Sequence, residues 1–145
     1  MKKSLFLIIG ILLTSVAGAQ IRDVNLFLDD YFKIGAVFTQ AIEEATTPQS
    51  VTLALQNFLN QMKPLVQRSK DLEKKYKDWG PSILEQDPLL QSKWTEKIEV
   101  FYQDMMLAMA KVYKMAAQDP SLAQKLELLA EEMEELWPSD TADSP

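Results

Sequence analysis

Three steps in this chain place a side-chain acceptor directly before a proline: Thr47-Pro48, Asp87-Pro88 and Asp119-Pro120. Each reads as an N-cap followed by proline at the first helical position. The absent N–H is no loss there, because that donor has no partner inside a helix. These steps set three helix starts. A further helix, first in order, is expected to begin near Ile21 to Asp23 and to run to about Ala45, where Thr46 and Thr47 break the pattern.

The apolar spacing agrees with this division. Val24, Leu28, Tyr31, Gly35, Phe38, Ile42 and Ala45 recur at steps of four and three, which keeps them on one helical face. Gly35 falls on that face, where glycine costs about 1 kcal/mol relative to alanine, so it is expected to admit a large neighbour. The second segment reads Val51, Leu55, Phe58, Met62, Leu65, Ser69, Leu72 and Tyr76, the alternation of a bundle seam. Pro64 interrupts one backbone hydrogen bond while the stripe continues in phase, which predicts a kink near Asn60 to Pro64 instead of a stop. Gly80 offers a left-handed cap beyond it.

Leu90, Trp94, Ile98, Phe101, Met105, Met109, Val112 and Ala116 make the third stripe, and Leu122, Leu126, Leu129, Met133 and Leu136 the fourth. No run of alternating β-branched residues competes as a strand. The fold class is therefore all-α, with helices over about 22–45, 48–78, 88–118 and 120–137. Short connections between the first and second, and the third and fourth, favour antiparallel neighbours. An up-down-up-down four-helix bundle over residues 20–137 is the simplest closure, with helices two and four on a diagonal. In the longer connection, Ser82 and Glu85 have capping-box spacing, and the polar tail 138–145 is expected to be disordered.

Residues 1–19 read differently. Lys2 and Lys3 precede an apolar run from Leu5 to Leu13, and Ala17-Gly18-Ala19 leads into Gln20. That is the order of a secretory signal peptide, with cleavage expected after Ala19. The apolar run is too short to cross roughly 30 Å of hydrocarbon, so no stable membrane span is expected after cleavage. Removing 1–19 takes away two lysines and no acids, leaving 13 basic against 21 acidic residues and a charge of -8. The expectation is an exported protein, periplasmic or secreted.

What the chain lacks excludes most familiar chemistry. With no cysteine and no histidine, thiolate and imidazole nucleophiles, a Ser-His-Asp triad and the usual zinc sites are ruled out. The outline resembles that of the periplasmic four-helix haem cytochromes, but their axial ligation needs a histidine, and the likeness stops at architecture. A pI near 4.7 argues against nucleic acid and against anionic membrane surfaces. Paired acids such as Asp29 with Asp30, Glu43 with Glu44 and Glu96 with Glu99 fall off the apolar stripes and read as solvated surface. The chain is thus expected to bind and not to catalyse, without a cofactor, its partner a protein or a cell-envelope component.

Candidate sites follow from composition along the helices. Lys63 to Lys77 carries six basic and two acidic residues, whereas Pro120 to Trp137 carries five acids and one lysine. Acids at a helix C-terminus oppose the macrodipole, so Glu131, Glu132, Glu134 and Glu135, with Trp79 and Trp137 at the same pole, are the expected partner-binding residues. The alternative function is a carrier, either of a small apolar ligand near Gly35 and the Pro64 kink, or of Cu(I). Thioethers hold that soft ion without histidine or cysteine, and Met105, Met106 and Met109 are the candidates, although Met105 and Met109 also suit simple packing on the seam. The shortness of helix four, which leaves part of the seam of helices one and three uncovered, is a reason to consider a homodimer.

Overall fold

A computed structural model describes residues 2–76 and 87–136, with the side chains of the first helix described from Gly18 onward. Four helices make up the described chain: α1 (Lys2–Glu44), α2 (Pro48–Lys75), α3 (Pro88–Ala116) and α4 (Pro120–Leu136). No strand occurs among the described residues.

All three proline steps form capped helix starts. Thr47 and Ser50 make a reciprocal capping box, the Thr47 hydroxyl accepting from Ser50 N–H at 3.1 Å and the Thr47 N–H donating to Ser50 Oγ at 3.1 Å. Asp87 accepts from the N–H groups of Leu89 and Leu90 at 3.0 and 3.1 Å. Asp119 does the same for Ser121 and Leu122 at 2.8 and 3.1 Å. Each carboxylate or hydroxyl satisfies donors that the helix itself leaves unpaired.

The helix ends differ from the expected ones for tertiary reasons. α1 extends back from residue 22 to Lys2 and passes without a break through Ala19 and Gln20, since no proline interrupts it. α2 stops at Lys75, short of residue 78, because Tyr76 turns to an extended conformation. Its buried ring then reaches α1, where its hydroxyl donates to Asp23 at 2.8 Å. α3 ends at Ala116, short of 118, where Gln118 and Asp119 N–H groups bond back to Met115 and Ala116 carbonyls, tightening the turn before the next cap. Pro64 lies inside an unbroken α2 on its exposed side. The Ser82–Glu85 box, Gly80 and the 138–145 tail lie outside the described residues.

Packing order departs from the sequential bundle. α1 rests on α2 and α3, α4 rests on α2 and α3, and α1 and α4 do not meet among the described residues. Helices two and four, expected on a diagonal, are therefore side by side, and α1 stands diagonally from α4. α1 and α3 run parallel: Leu90 and Trp94 pack on Val24 at one end, and Lys111 donates to the Glu43 carbonyl at 2.7 Å at the other. That lysine supplies the cation that the C-terminus of α1 lacks.

A single close approach holds this order. A Cβ on Gly35 would lie 2.0 Å from Phe101 Cε2, so the ring of α3 occupies the space that the glycine leaves. Phe101 is flanked by Tyr31 at 5.0 Å and Phe32 at 5.2 Å between centroids, and Phe32 stacks on the fully buried Trp94 at 5.5 Å. The expectation of a large neighbour at Gly35 is met by a side chain of the protein itself, Phe101. The seam of helices one and three is likewise covered by their direct contact, which removes the argument for a homodimer based on its exposure.

Two polar ties close the lower end. Asp23 accepts from Lys75 Nζ and Tyr76 Oη, each at 2.8 Å, joining α1 to α2. Asn25 accepts from Lys93 Nζ at 2.7 Å and from the Trp94 indole N–H at 3.1 Å, joining α1 to α3. The Lys75 and Tyr76 hydrogen bonds hold the Asp23 carboxyl below its ordinary value of 3.8, and the Asp23 bond raises Lys75.

Gly35→Ala gains about 1 kcal/mol of helix propensity but drives a methyl into a wedged ring, an overpacking cost of about 1–3 kcal/mol. Net destabilisation in urea unfolding is the expected outcome, relieved when Phe101→Leu is added. For Asp23, a depressed carboxyl contributes stability above its unfolded pKa and loses it as pH falls through the folded one. Asp23→Asn is therefore expected to melt at lower temperature than the parent at neutral pH, with the difference shrinking below about pH 4.

Candidate binding groove between α3 and α4

The cap at Asp119 sets α4 against the top of the core, where Leu122 is 1% exposed. Further down, Leu126, Leu129 and Met133 are only half-buried. α4 packs more closely on α2 than on α3, and an ion pair between Lys63 and Glu132 fastens it on that side. The other side stays open.

An apolar cavity of about 330 Å³ lies in this opening. Phe38 of α1 with Leu55, Phe58 and Leu59 of α2 form its floor, the two phenylalanine rings 4.7 Å apart. Met105 and Met109 of α3 face Leu126, Leu129 and Met133 of α4 across it, and Tyr113, Glu127 and Ala130 stand at the mouth. The volume falls at the lower end of ligand pockets, about 300–1,000 Å³. Beside the mouth, α3 presents Tyr102, Met106 and Tyr113 to solvent at 61%, 68% and 63% exposure. With Met109 they recur at steps of four, three and four, one ridge along the helix.

The candidate residues are divided by this geometry. Met105 and Met109 share the cavity, whereas Met106 points away to the exposed ridge, so the third thioether at the cavity is that of Met133. Glu132 is half-buried and committed to Lys63; Glu131, Glu134 and Glu135 are exposed. The basic stretch of α2 and the acidic stretch of α4 thus meet at the Lys63–Glu132 pair. Arg68 and Lys75 of the same basic stretch pair with Asp30 at 2.6 Å and Asp23 at 2.8 Å. Trp79 and Trp137 lie outside the described residues.

Glu127 was not among the expected site residues, and its spacing carries the missed signal. Glu127, Glu131 and Glu134 follow steps of four and three, so the acids of α4 continue one stripe from the groove mouth. Another open groove, about 590 Å³ beside Gly35, is walled by acids and lysines of both signs, with Lys97 3.9 Å from Asp29. Its apolar part, made by Phe32, Val100 and Phe101, is interrupted by these charged side chains. No helix among the described residues is long and apolar enough to cross a membrane.

No known family, curated protein or solved structure matches this chain.

Proposed function

We propose that the chain is an exported, non-catalytic binding protein whose partner, a protein or envelope component, is engaged through the α3–α4 groove. The observation that carries this reading is a cavity lined by Phe38, Phe58 and Leu55 that reaches the exposed Tyr113, from which Met106 and Tyr102 continue along the same face of α3. Scattered single apolar residues are ordinary on a soluble surface; a ridge continuous with an apolar cavity marks an interaction site. Export is supported by the order of charged, apolar and small residues in 1–19. The bundle is the working domain, and the binding energy comes from apolar burial in the groove.

Nile red, a neutral apolar fluorophore, is expected to bind the exported chain saturably with one site. Ala130→Trp, which fills the mouth from an exposed position, is expected to abolish that site while leaving helicity by circular dichroism unchanged. Equal binding to both proteins would overturn the groove as the site. The purified material also tests export, since its first residue is expected to be Gln20.

A second reading, a Cu(I) carrier, draws on Met105, Met109 and Met133 sharing one cavity. Thioethers suit that ion. Anaerobic titration is then expected to give one equivalent bound, lost in Met109→Leu with Met133→Leu; the absence of stoichiometric binding would remove this reading.

A further inference from the structure

The occupant of the groove can be assigned from its charge. Among the described residues, the one charged side chain lining the cavity is Glu127, and Glu131 and Glu134 extend the same stripe down α4, both exposed. On the opposite wall, the α3 ridge from Tyr102 to Tyr113 has no cation at its own positions, being Tyr102, Met106, Met109 and Tyr113. The groove is thus apolar at its floor, aromatic and thioether-lined along one rim, and acidic along the other. Two lysines of the surrounding helices are engaged elsewhere: Lys63 with Glu132, and Lys111 with the end of α1.

Resting on the groove reading above, we infer that the partner presents a basic amphipathic α-helix. Its apolar face lies in the groove, and lysines or arginines on one flank meet Glu127, Glu131 and Glu134. Three observations fit this occupant. The ridge from Tyr102 to Tyr113 is about 17 Å long at about 1.5 Å per residue, the span of three helical turns. Anchors at i, i+4 and i+7 of a docked helix match the four-three-four spacing of the ridge. Glu134, which opposes the macrodipole in the last turn of its own helix, acquires in the complex, with Glu127 and Glu131, cationic partners that no ion pair among the described residues supplies. Methionine and aromatic rims also tolerate side chains of different shape, so the charge stripe supplies the selectivity.

The direct test uses fluorescein-labelled 14-residue peptides, with leucines at i, i+4, i+7 and i+11 and lysines on one flank. A second peptide carries glutamates in place of the lysines. Anisotropy with the exported chain in low salt is expected to show saturable binding of the lysine peptide and at least tenfold weaker binding of the glutamate peptide. Raising the salt is expected to narrow the difference. Glu127→Lys, Glu131→Lys and Glu134→Lys together are expected to invert the preference, with Glu→Gln at the same three exposed positions falling between and guarding against a folding artefact. If both peptides bind alike and Ala130→Trp abolishes both, the groove stands and the charge inference falls. If neither peptide binds while Nile red does, the occupant is a small apolar molecule and the inference falls again. If neither Nile red nor peptide binds, the groove reading itself fails. Self-association that a peptide cannot displace would make a second copy the occupant and also overturn the proposal.

Discussion

The packing of Phe101 into the space over Gly35 decides how the other helices can be arranged. With the ring 2.0 Å from where a Cβ would stand, α3 lies closer to α1 than side chains on both helices would permit. Tyr31, Phe32 and Trp94 then close around it. Once α3 is held parallel and adjacent to α1, α2 and α4, which run in the opposite direction to those two, become neighbours of each other along the remaining side. The diagonal then separates α1 from α4. A bundle with sequential neighbours would have placed α4 on α1 and left no aromatic seam between α1 and α3.

The polar interactions follow this order. Asp23 and Asn25, two residues apart on α1, bind opposite neighbours: Asp23 takes α2 through Lys75 and Tyr76, and Asn25 takes α3 through Lys93 and Trp94. Their position close behind Gln20 puts the lower ties in the first turns of the chain that would remain after cleavage. At the upper end Lys111 reaches the last carbonyls of α1. Among the described residues α4 has one such tether along its length, the pair with Lys63, and surface pairs of this kind contribute little. α4 packs more closely on α2 than on α3, and the groove lies along the edge that this leaves open.

Much of the fold was legible because its signals are local. A hydroxyl or carboxylate followed by proline specifies a helix start through hydrogen bonds made within three residues, and all three starts form as read. The buried stripe of α1, with Val24, Phe38, Ile42 and Ala45, likewise follows from spacing alone. The candidate site was only half legible. Met105 and Met109 belong to it, but Met106 was grouped with them by adjacency in sequence, whereas Met133 joins them from another helix. Glu131 to Glu135 were read as one cluster, yet successive helical residues point about 100° apart. Glu132 therefore turns to α2 while Glu131 and Glu134 continue the stripe from Glu127.

Sequence by itself determined an all-helical chain, where three of its helices begin, which faces are apolar, and that one glycine must receive a large side chain. Those properties depend on backbone donors and on a period of 3.6 residues, both written into neighbouring positions. Tertiary structure alone decided that the large side chain is Phe101, that Tyr76 leaves the helix to reach Asp23, and that α2 and α4 stand side by side. Amphipathic stripes state that a face will be buried without naming the face that buries it. That choice is made by shape at a few close contacts, and the groove exists only once it has been made.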